Sequence, residues 1–222
     1  TRNWKFLLKL SSVAVLVLGA LIFGYTFFPL ISWQVYFAPV FASQKIQAPI
    51  PTQAILSQSN IGNLISSAAD SLSTDFTNAY NWYPGISKKA TQLTTYTLSI
   101  PKINIQNAVV TNKDMDLTKH LVQFNSDSIP PNEGNSVIFG HSTLPQLFDP
   151  DNYKTIFANA YKLSTGDKII IETSNIKYNY RIESITVVEP TDTSPLAQNF
   201  SDSYITIITC TPPGTIWKRL II

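Results

Sequence analysis

Cys210 is the only cysteine in this chain of 222 residues, and a lone thiol is the strongest candidate for chemistry in it. It follows the strand-like run Tyr204 to Thr209 and is followed at once by the turn-forming run Thr211 to Gly214. A side chain at the mouth of a strand is accessible while the sheet holds its backbone still, which a nucleophile requires. Because a free thiol has a pKa of about 8.5, it needs a nearby base or positive charge to react as thiolate.

Two histidines are available as that base. His141 comes at the end of the strand-like run Ser136 to Phe139, and Gly140 gives the backbone freedom to present its ring. His120 lies between a charged turn and a mixed segment. Position therefore favours His141 as the partner of Cys210, and the alternative for either histidine is a hydrogen-bonded structural role.

Arg219 is the candidate positive charge. It lies nine residues after Cys210, past a turn, at the head of another strand-like run that ends at Ile222. Two antiparallel strands joined by that turn would bring Arg219 back beside Cys210, where a guanidinium could stabilise a developing oxyanion or bind substrate backbone. Arg181, inside a different strand-like run, is the competitor, and a surface ion pair is the simpler interpretation of it.

The elements that position these residues are short and β-like. Runs rich in Ile, Val, Tyr and Thr alternate with Pro and Gly turns from Tyr96 onward, and only the segment from Tyr153 to Leu163 has a helical pattern. Many short strands with one or two brief helices predict an all-β barrel or sandwich rather than alternating β and α units.

Several segments resemble the motifs of sortases. Thr206-Ile-Ile-Thr-Cys210 is similar to the T-L-x-T-C signature of that family, and an arginine nine positions after the cysteine fits it as well. Asn135-Ser-Val-Ile-Phe-Gly-His141 resembles the G-N-x-x-x-x-G-H segment. The opening strand Leu98-Ser-Ile-Pro-Lys-Ile103, the Gly166-Asp167 turn and Tyr178-Asn-Tyr180 fit the family layout.

The resemblance implies a closed β-barrel of about eight strands over residues 96–222, acting as a cysteine transpeptidase. From the residues themselves we expect no cofactor and no metal site. Cys210 would attack the threonine carbonyl of an L-P-x-T-G-like sorting signal and form a thioacyl enzyme. His141 would serve as general acid and base, Arg219 would stabilise the oxyanion, and Thr209 would contact substrate or oxyanion. The partners implied are the sorting signals of exported surface proteins and an acceptor amine, either a cell-wall peptide or a pilin lysine.

The chain also departs from the family pattern. Ser142 follows the histidine where many members carry arginine, and no D-P-W or D-P-F lid motif precedes Leu98, which weakens a pilin-polymerising interpretation. The chain starts at Thr1 without methionine and stops three residues after Arg219, whereas the last barrel strand should run further. We therefore expect a fragment whose barrel is truncated at its C-terminal end.

The N-terminal part predicts a membrane anchor. The predicted anchor is residues 10–31, in which Val13 to Ile31 form a nearly unbroken apolar run of the length that spans a bilayer as a helix, and residues 1–9 carry three cations. The positive-inside rule then places residues 1–9 in the cytoplasm and the catalytic domain outside the cell. Residues 32–95 form a polar stalk, with a possible short helix over 61–76. A cleaved signal peptide is the alternative for the apolar run.

Other functional classes fit the residues less well. The folded part lacks the clustered Lys and Arg of a nucleic-acid surface, and the acids Glu133, Asp149, Asp151 and Asp192 do not have the spacing of a calcium site. An L,D-transpeptidase would keep its His, Cys and Arg close together, whereas His141 precedes Cys210 by 69 residues. A membrane-anchored adhesin or assembly scaffold with a non-catalytic cysteine is the remaining alternative.

Overall fold

The computed structural model describes residues 13–25, 27, 74–86, 94–124 and 128–222. The chain divides into two compact units, Thr1–Gln44 and Lys45–Ile222. In the first unit residues 13–25 are helical, and no helix among the described residues is both long and apolar enough to cross a membrane. Part of the predicted anchor, most of the predicted stalk and nearly all of its possible helix lie outside the described residues, so these stay predictions.

The second unit is built on one curled sheet of nine strands. The strands are β1 Thr95–Ile100, β2 Ile105–Thr111, β3 Leu121–Gln123, β4 Gly134–Phe139, β5 Lys168–Thr173, β6 Ile176–Arg181, β7 Thr186–Val188, β8 Ser203–Thr211 and β9 Lys218–Ile221. Their order across the sheet is β6-β5-β1-β2-β3-β4-β8-β9-β7. Strands β4 and β8, whose ends carry His141 and Cys210, are therefore parallel neighbours.

The all-β class is confirmed, but the sheet is a half-barrel of nine strands and not the closed barrel of about eight that was expected. Its edge strands β6 and β7 do not pair with each other within the described residues. The reason lies in residues 182–185, which interrupt a stretch that looks continuous in sequence. The chain leaves the β5 side of the sheet after Arg181 and joins β9 from Thr186.

The segment from Tyr153 to Leu163 is not an α-helix, contrary to its sequence pattern. Thr155 N donates to Asn152 O at 2.9 Å and Ala158 N donates to Thr155 O at 2.9 Å, so successive bonds span three residues. The Asn152 side chain accepts from Lys154 N, and such local side-chain bonds favour turns over helix. The short helices of the second unit that the structure describes are all of the 3₁₀ type: Ala79–Trp82, Pro101–Ile103, Pro145–Leu147, Ala160–Lys162 and Ser194–Leu196.

Strand alternation sorts the central residues onto two faces. On one face β4 and β8 contribute Val137, Phe139, Ile208 and Cys210 to a buried group that we name the Cys210 cluster. Its other members are Ala79, Trp82, Tyr83, Met115, Leu117, Val122 and Phe124. Because β4 is buried over its whole length, both faces of the sheet are covered where it carries the candidate site.

Candidate active site

His141 and Cys210 are brought together by the parallel pairing of β4 and β8. The register sets Phe139 opposite Ile208, and His141 and Cys210 each come two residues after this pair. Neighbouring strands lie about 4.8 Å apart, and residues two positions on point to the same face. The two side chains predicted to cooperate therefore leave the sheet from adjacent strand ends on one face.

The ends of these two strands are fastened to each other. Thr209 Oγ1 donates to Gly140 O at 2.8 Å, and Gly140 N donates to Ile208 O at 3.3 Å. A Cβ at Gly140 would lie 2.4 Å from the Phe157 ring and 2.6 Å from Leu121. Glycine is required here because the packing leaves no room for a side chain, and not because of the backbone freedom that the sequence suggested.

Arg219 reaches the thiol from the other side of β8. Strand β9 pairs antiparallel with β8 and sets Arg219 directly opposite Cys210. Its Nη1 lies 3.6 Å from Cys210 Sγ and donates to Ile216 O at 3.1 Å. The turn between the strands contains Gly214 at φ +78, a conformation that glycine adopts without strain. The predicted return of Arg219 to Cys210 is thus what the structure shows.

Residues 74–86, which we name the covering segment, lie over this site. The Trp82 ring centre lies 4.9 Å from the Arg219 guanidinium, 5.3 Å from the Phe139 ring and 6.1 Å from the His141 ring. Phe76 adds a second aromatic ring, 5.8 Å from the same guanidinium. Under this cover Cys210 is only 5% exposed and Arg219 1%.

The covering segment is attached by main-chain hydrogen bonds to the loop between β2 and β3. Ala79 N donates to Met115 O at 2.9 Å, and Leu117 N donates to Thr77 O at 2.8 Å. Sequence reasoning assigned these residues to the stalk and missed their place at the site. The available signal was a concentration of aromatic residues in an otherwise polar stretch: Phe76, Tyr80, Trp82 and Tyr83.

Burial controls the protonation of the two catalytic candidates. It raises the pKa of the Cys210 thiol, and the positive charge of Arg219 acts in the opposite direction. Burial likewise lowers the pKa of His141, aided by the positive charge of Lys154 and opposed by the carboxylates of Asp75 and Asp116. The covered site thus favours a neutral thiol and a neutral imidazole, and the neutral imidazole is the form that can accept a proton.

Three candidate-site residues carry buried polar atoms without a hydrogen-bond partner among the described residues. His141 Nε2, Arg219 Nε and Tyr83 OH are buried and find no hydrogen-bond partner among the described residues. Tyr83 belongs to the Cys210 cluster, and burial raises its pKa to about 12. Because a buried polar atom without a partner is costly, such atoms indicate a site that a polar ligand completes.

The other predicted residues have different surroundings. His120 is buried, with Nε2 2.9 Å from Asp114 Oδ1 and Nδ1 2.9 Å from Leu121 O, as expected of a structural histidine. Arg181 is exposed at the end of β6. The Thr209 side chain is buried and its hydroxyl donates a hydrogen bond to Gly140 O. A contact of Thr209 with substrate therefore stays a prediction.

Comparison with known proteins identifies the family. The family model of the Sortase domain matches residues 98–222, more than half of the chain. The chain belongs to the sortase family. Sortase D of Bacillus subtilis (strain 168) is 28% identical over 129 residues, which cover 56% of this chain and 60% of that protein. The match therefore spans less than two thirds of this relative. The family that the motifs predicted is confirmed by the family model.

Solved sortase structures are also similar to this chain. The Clostridium perfringens Sortase D5 transpeptidase is 30% identical, with 57% of this sortase and 74% of that chain covered and a TM-score of 0.47. Streptococcus agalactiae Sortase C1 is 20% identical, with 75% of this chain and 89% of that chain covered and a TM-score of 0.50. At that identity the second likeness concerns the fold alone.

Proposed function

We propose that this sortase is a cysteine transpeptidase that cleaves an L-P-x-T-G-like sorting signal and joins the surface protein to a cell-envelope amine. The observation that carries the proposal is the convergence of His141, Cys210 and Arg219. Cys210 and Arg219 lie opposite each other in β8 and β9, His141 follows the end of the neighbouring strand β4 by two residues, and Arg219 Nη1 lies 3.6 Å from the thiol sulfur. A nucleophile, a base and an oxyanion donor within one small site support acyl transfer.

In the first half-reaction Cys210 gives its proton to His141, and the sulfur attacks the threonine carbonyl carbon. The carbonyl oxygen gains negative charge, which Arg219 stabilises. The C–N bond to the following glycine then breaks, and His141 returns the proton to the departing amine. The product of this step is a thioester between Cys210 and the threonine carbonyl.

The second half-reaction repeats these roles with an incoming amine. His141 takes a proton as the amine nitrogen attacks the thioester carbon, and the sulfur leaves and regains its proton. A new amide bond joins the surface protein to the acceptor amine. Holding amine and thioester together raises their effective concentration by several orders of magnitude, which lets the amine compete with water.

Access to the site requires a displacement of the covering segment. Cys210 is almost completely buried, so no peptide carbonyl reaches its sulfur while Trp82 and Phe76 cover Arg219. The hydrogen bonds from Ala79 N to Met115 O and from Leu117 N to Thr77 O join the segment to a loop and not to a strand, so breaking these two bonds leaves the sheet intact. In the proposed reaction the sorting signal enters as this segment leaves.

The test is trapping of the acyl-enzyme. The full chain is incubated with a peptide panel varied at each position of L-P-x-T-G, with and without an added amine, and its intact mass is measured. We expect a Cys210 adduct of the N-terminal peptide fragment that the amine discharges. Cys210→Ala should abolish the adduct, and His141→Ala should slow its formation by about 10² or more. No adduct with any peptide from a folded wild-type protein contradicts the proposal.

The low exposure of Cys210 favours a second candidate, a membrane-anchored scaffold with a non-catalytic cysteine. A small charged alkylating reagent separates the two, because it does not reach a permanently buried thiol. The transpeptidase predicts labelling of Cys210 in the native protein, and slower labelling when a sorting peptide is bound. The scaffold predicts labelling only after unfolding.

A further inference from the structure

His141 lies beyond the last strand pair of β4. The register of β4 with β8 ends at Phe139 and Ile208, and the N and O atoms of Gly140 still bond to β8. The carbonyl of His141 instead accepts from Phe157 N at 3.0 Å. The main chain of the candidate base is therefore held here by a different part of the chain.

The Phe157 ring packs against the residue before the base. A Cβ at Gly140 would lie 2.4 Å from ring atom Cε2 and 2.7 Å from Cδ2, so the ring fills the space beside this glycine. Phe157 is only 1% exposed, and its neighbours Ile156 and Ala158 are buried as well. Phe157 thus contacts Gly140 through its side chain and His141 through its main chain.

Residues 149–158, which we name the support segment, are fastened to the sheet and to each other. The Tyr153 hydroxyl accepts from Val109 N, in β2, at 2.8 Å. Within the segment the Thr155 hydroxyl accepts from Asp149 N at 3.0 Å. Neither of these bonds involves the covering segment, so displacement of the cover leaves both in place.

The support segment also carries a charge that acts on the base. Burial lowers the pKa of His141, and the positive charge of Lys154 lowers it further. The carboxylates of Asp75 and Asp116 oppose this effect, from the covering segment and from the loop between β2 and β3. If the support segment moves away, water reaches the ring and Lys154 withdraws, and both changes raise the pKa of His141.

We propose that Phe157 is a positioning residue that holds His141 at the end of β4, independently of the covering segment. The base then keeps its place when the cover leaves and the sorting peptide enters. The inference rests on the proposed transpeptidase function, in which the imidazole transfers protons. A side chain that orients a catalytic group must itself be locked by packing, as the buried ring of Phe157 is.

Two measurements on the full chain test the role of the ring. The chain has only two histidines, so an NMR titration of protein labelled with ¹⁵N-histidine follows His141 with His120 as internal control. Phe157→Leu keeps an apolar side chain but removes the ring from Gly140. We expect this variant to raise the pKa of His141. The maximal rate of acyl-enzyme formation should fall by about tenfold or more, because misplacing a catalytic group by about 1 Å costs up to about 10²-fold.

Ile156→Val is the matched control, because it removes one methyl group from the fully buried position next to Phe157. Loss of packing alone would lower the free energy of unfolding in both variants, but only Phe157→Leu should change the pKa of His141 and the acylation rate. Phe157→Met takes its place if Phe157→Leu does not fold. A folded Phe157 variant in which either quantity equals that of wild type overturns the inference. A wild type that forms no acyl-enzyme overturns the proposed function instead.

A double substitution tests the independence from the covering segment. Trp82→Ala removes the covering ring whose centre lies 6.1 Å from that of His141. Phe157→Leu should lower the acylation rate by the same factor in the Trp82→Ala background as in wild type, because independent effects add as free energies. No loss of rate in that background would show that Phe157 acts through the cover, and would overturn the inference.

Discussion

Arg219 is held from three directions, so its position depends on more than its own strand. Its backbone is paired with Cys210, its Nη1 donates to Ile216 O, and its guanidinium lies under Trp82. A guanidinium stacked on an aromatic ring in a desolvated site gains about 2 kcal/mol. The planar group is thus fixed beside the sulfur before any substrate arrives.

Replacing Arg219 should therefore damage chemistry more than folding. We expect Arg219→Ala to slow acyl-enzyme formation by about 10² to 10³, the loss usual for one oxyanion donor. Arg219→Lys keeps the charge but loses the planar stack, so it should recover only part of the rate. Rapid quenching followed by intact mass gives both rates. A lysine variant as fast as wild type would show that charge alone is sufficient.

The pH dependence of Cys210 follows from its burial. Because burial raises the pKa of this thiol, the thiolate of the covered protein forms only above the ordinary range. Trp82→Ala admits water, which should lower the pKa towards its ordinary value and move the midpoint of alkylation to lower pH. Alkylation rates measured from pH 6 to 10 check this, with exposed Tyr80→Ala as control. If the pH midpoint of Cys210 alkylation does not change, burial under the covering segment is not what raises the pKa of the thiol.

Sequence reasoning located the three catalytic candidates because each belongs to a local pattern. Cys210 and His141 end runs of β-forming residues, and Arg219 follows a turn. The position of Trp82 could not be found in this way. Its contacts with Arg219 and His141 join residues that are far apart in the chain and depend on how the covering segment meets the sheet. Only the local excess of aromatic residues indicated that the segment is buried.

At the scale of elements, the site depends on the joined ends of β4 and β8. The Thr209 hydroxyl bonds the Gly140 carbonyl, and this contact lies between His141 and Cys210. Thr209 therefore helps to hold His141 at a fixed separation from Cys210. The pairing of β4 with β8 and of β8 with β9 does the same for the whole group.

Thr209→Val tests this connection, because it keeps the shape of the side chain and removes only the hydroxyl. The Gly140 carbonyl would lose a partner in a buried position, which should lower the free energy of unfolding by about 1 to 3 kcal/mol. Acyl-enzyme formation should slow by about tenfold as the two strand ends separate. Denaturant unfolding and acylation rates measure both effects. A variant with full stability but strongly reduced activity would favour direct contact of Thr209 with substrate.

The strands could be predicted from the sequence, whereas the open, half-barrel form of the sheet could not. The Ile-rich run of β5 and the Tyr, Ile and Thr residues of β8 indicate strands from the residues alone. The stretch from Tyr178 to Val188 reads as one strand because the exit at residues 182–185 leaves no Gly or Pro signal. Pairing partners are set by long-range packing, so the open half-barrel could not be derived from local patterns.

At the scale of the whole molecule, the proposed reaction needs the catalytic unit on the outer side of a membrane. Arg2, Lys5 and Lys9 precede an apolar run, and the chain carries no further charge until Lys45. Cations on one side of such a run predict that this side stays in the cytoplasm. A tethered enzyme would then meet exported proteins as they emerge, and this remains our proposal for its location.

Trypsin added to protoplasts tests that proposal, because residues 46–87 contain no Lys or Arg. We expect cleavage at Lys45, Lys88 or Lys89 from outside, releasing a fragment that contains Cys210 without membrane rupture. Substituting these three lysines by Gln should abolish release, which controls for cleavage in the folded unit. Release of the fragment without protease indicates the signal-peptide alternative, since a cleaved domain is no longer tethered. Cleavage only after rupture would place the unit in the cytoplasm, where the sorting signals of exported proteins are not presented.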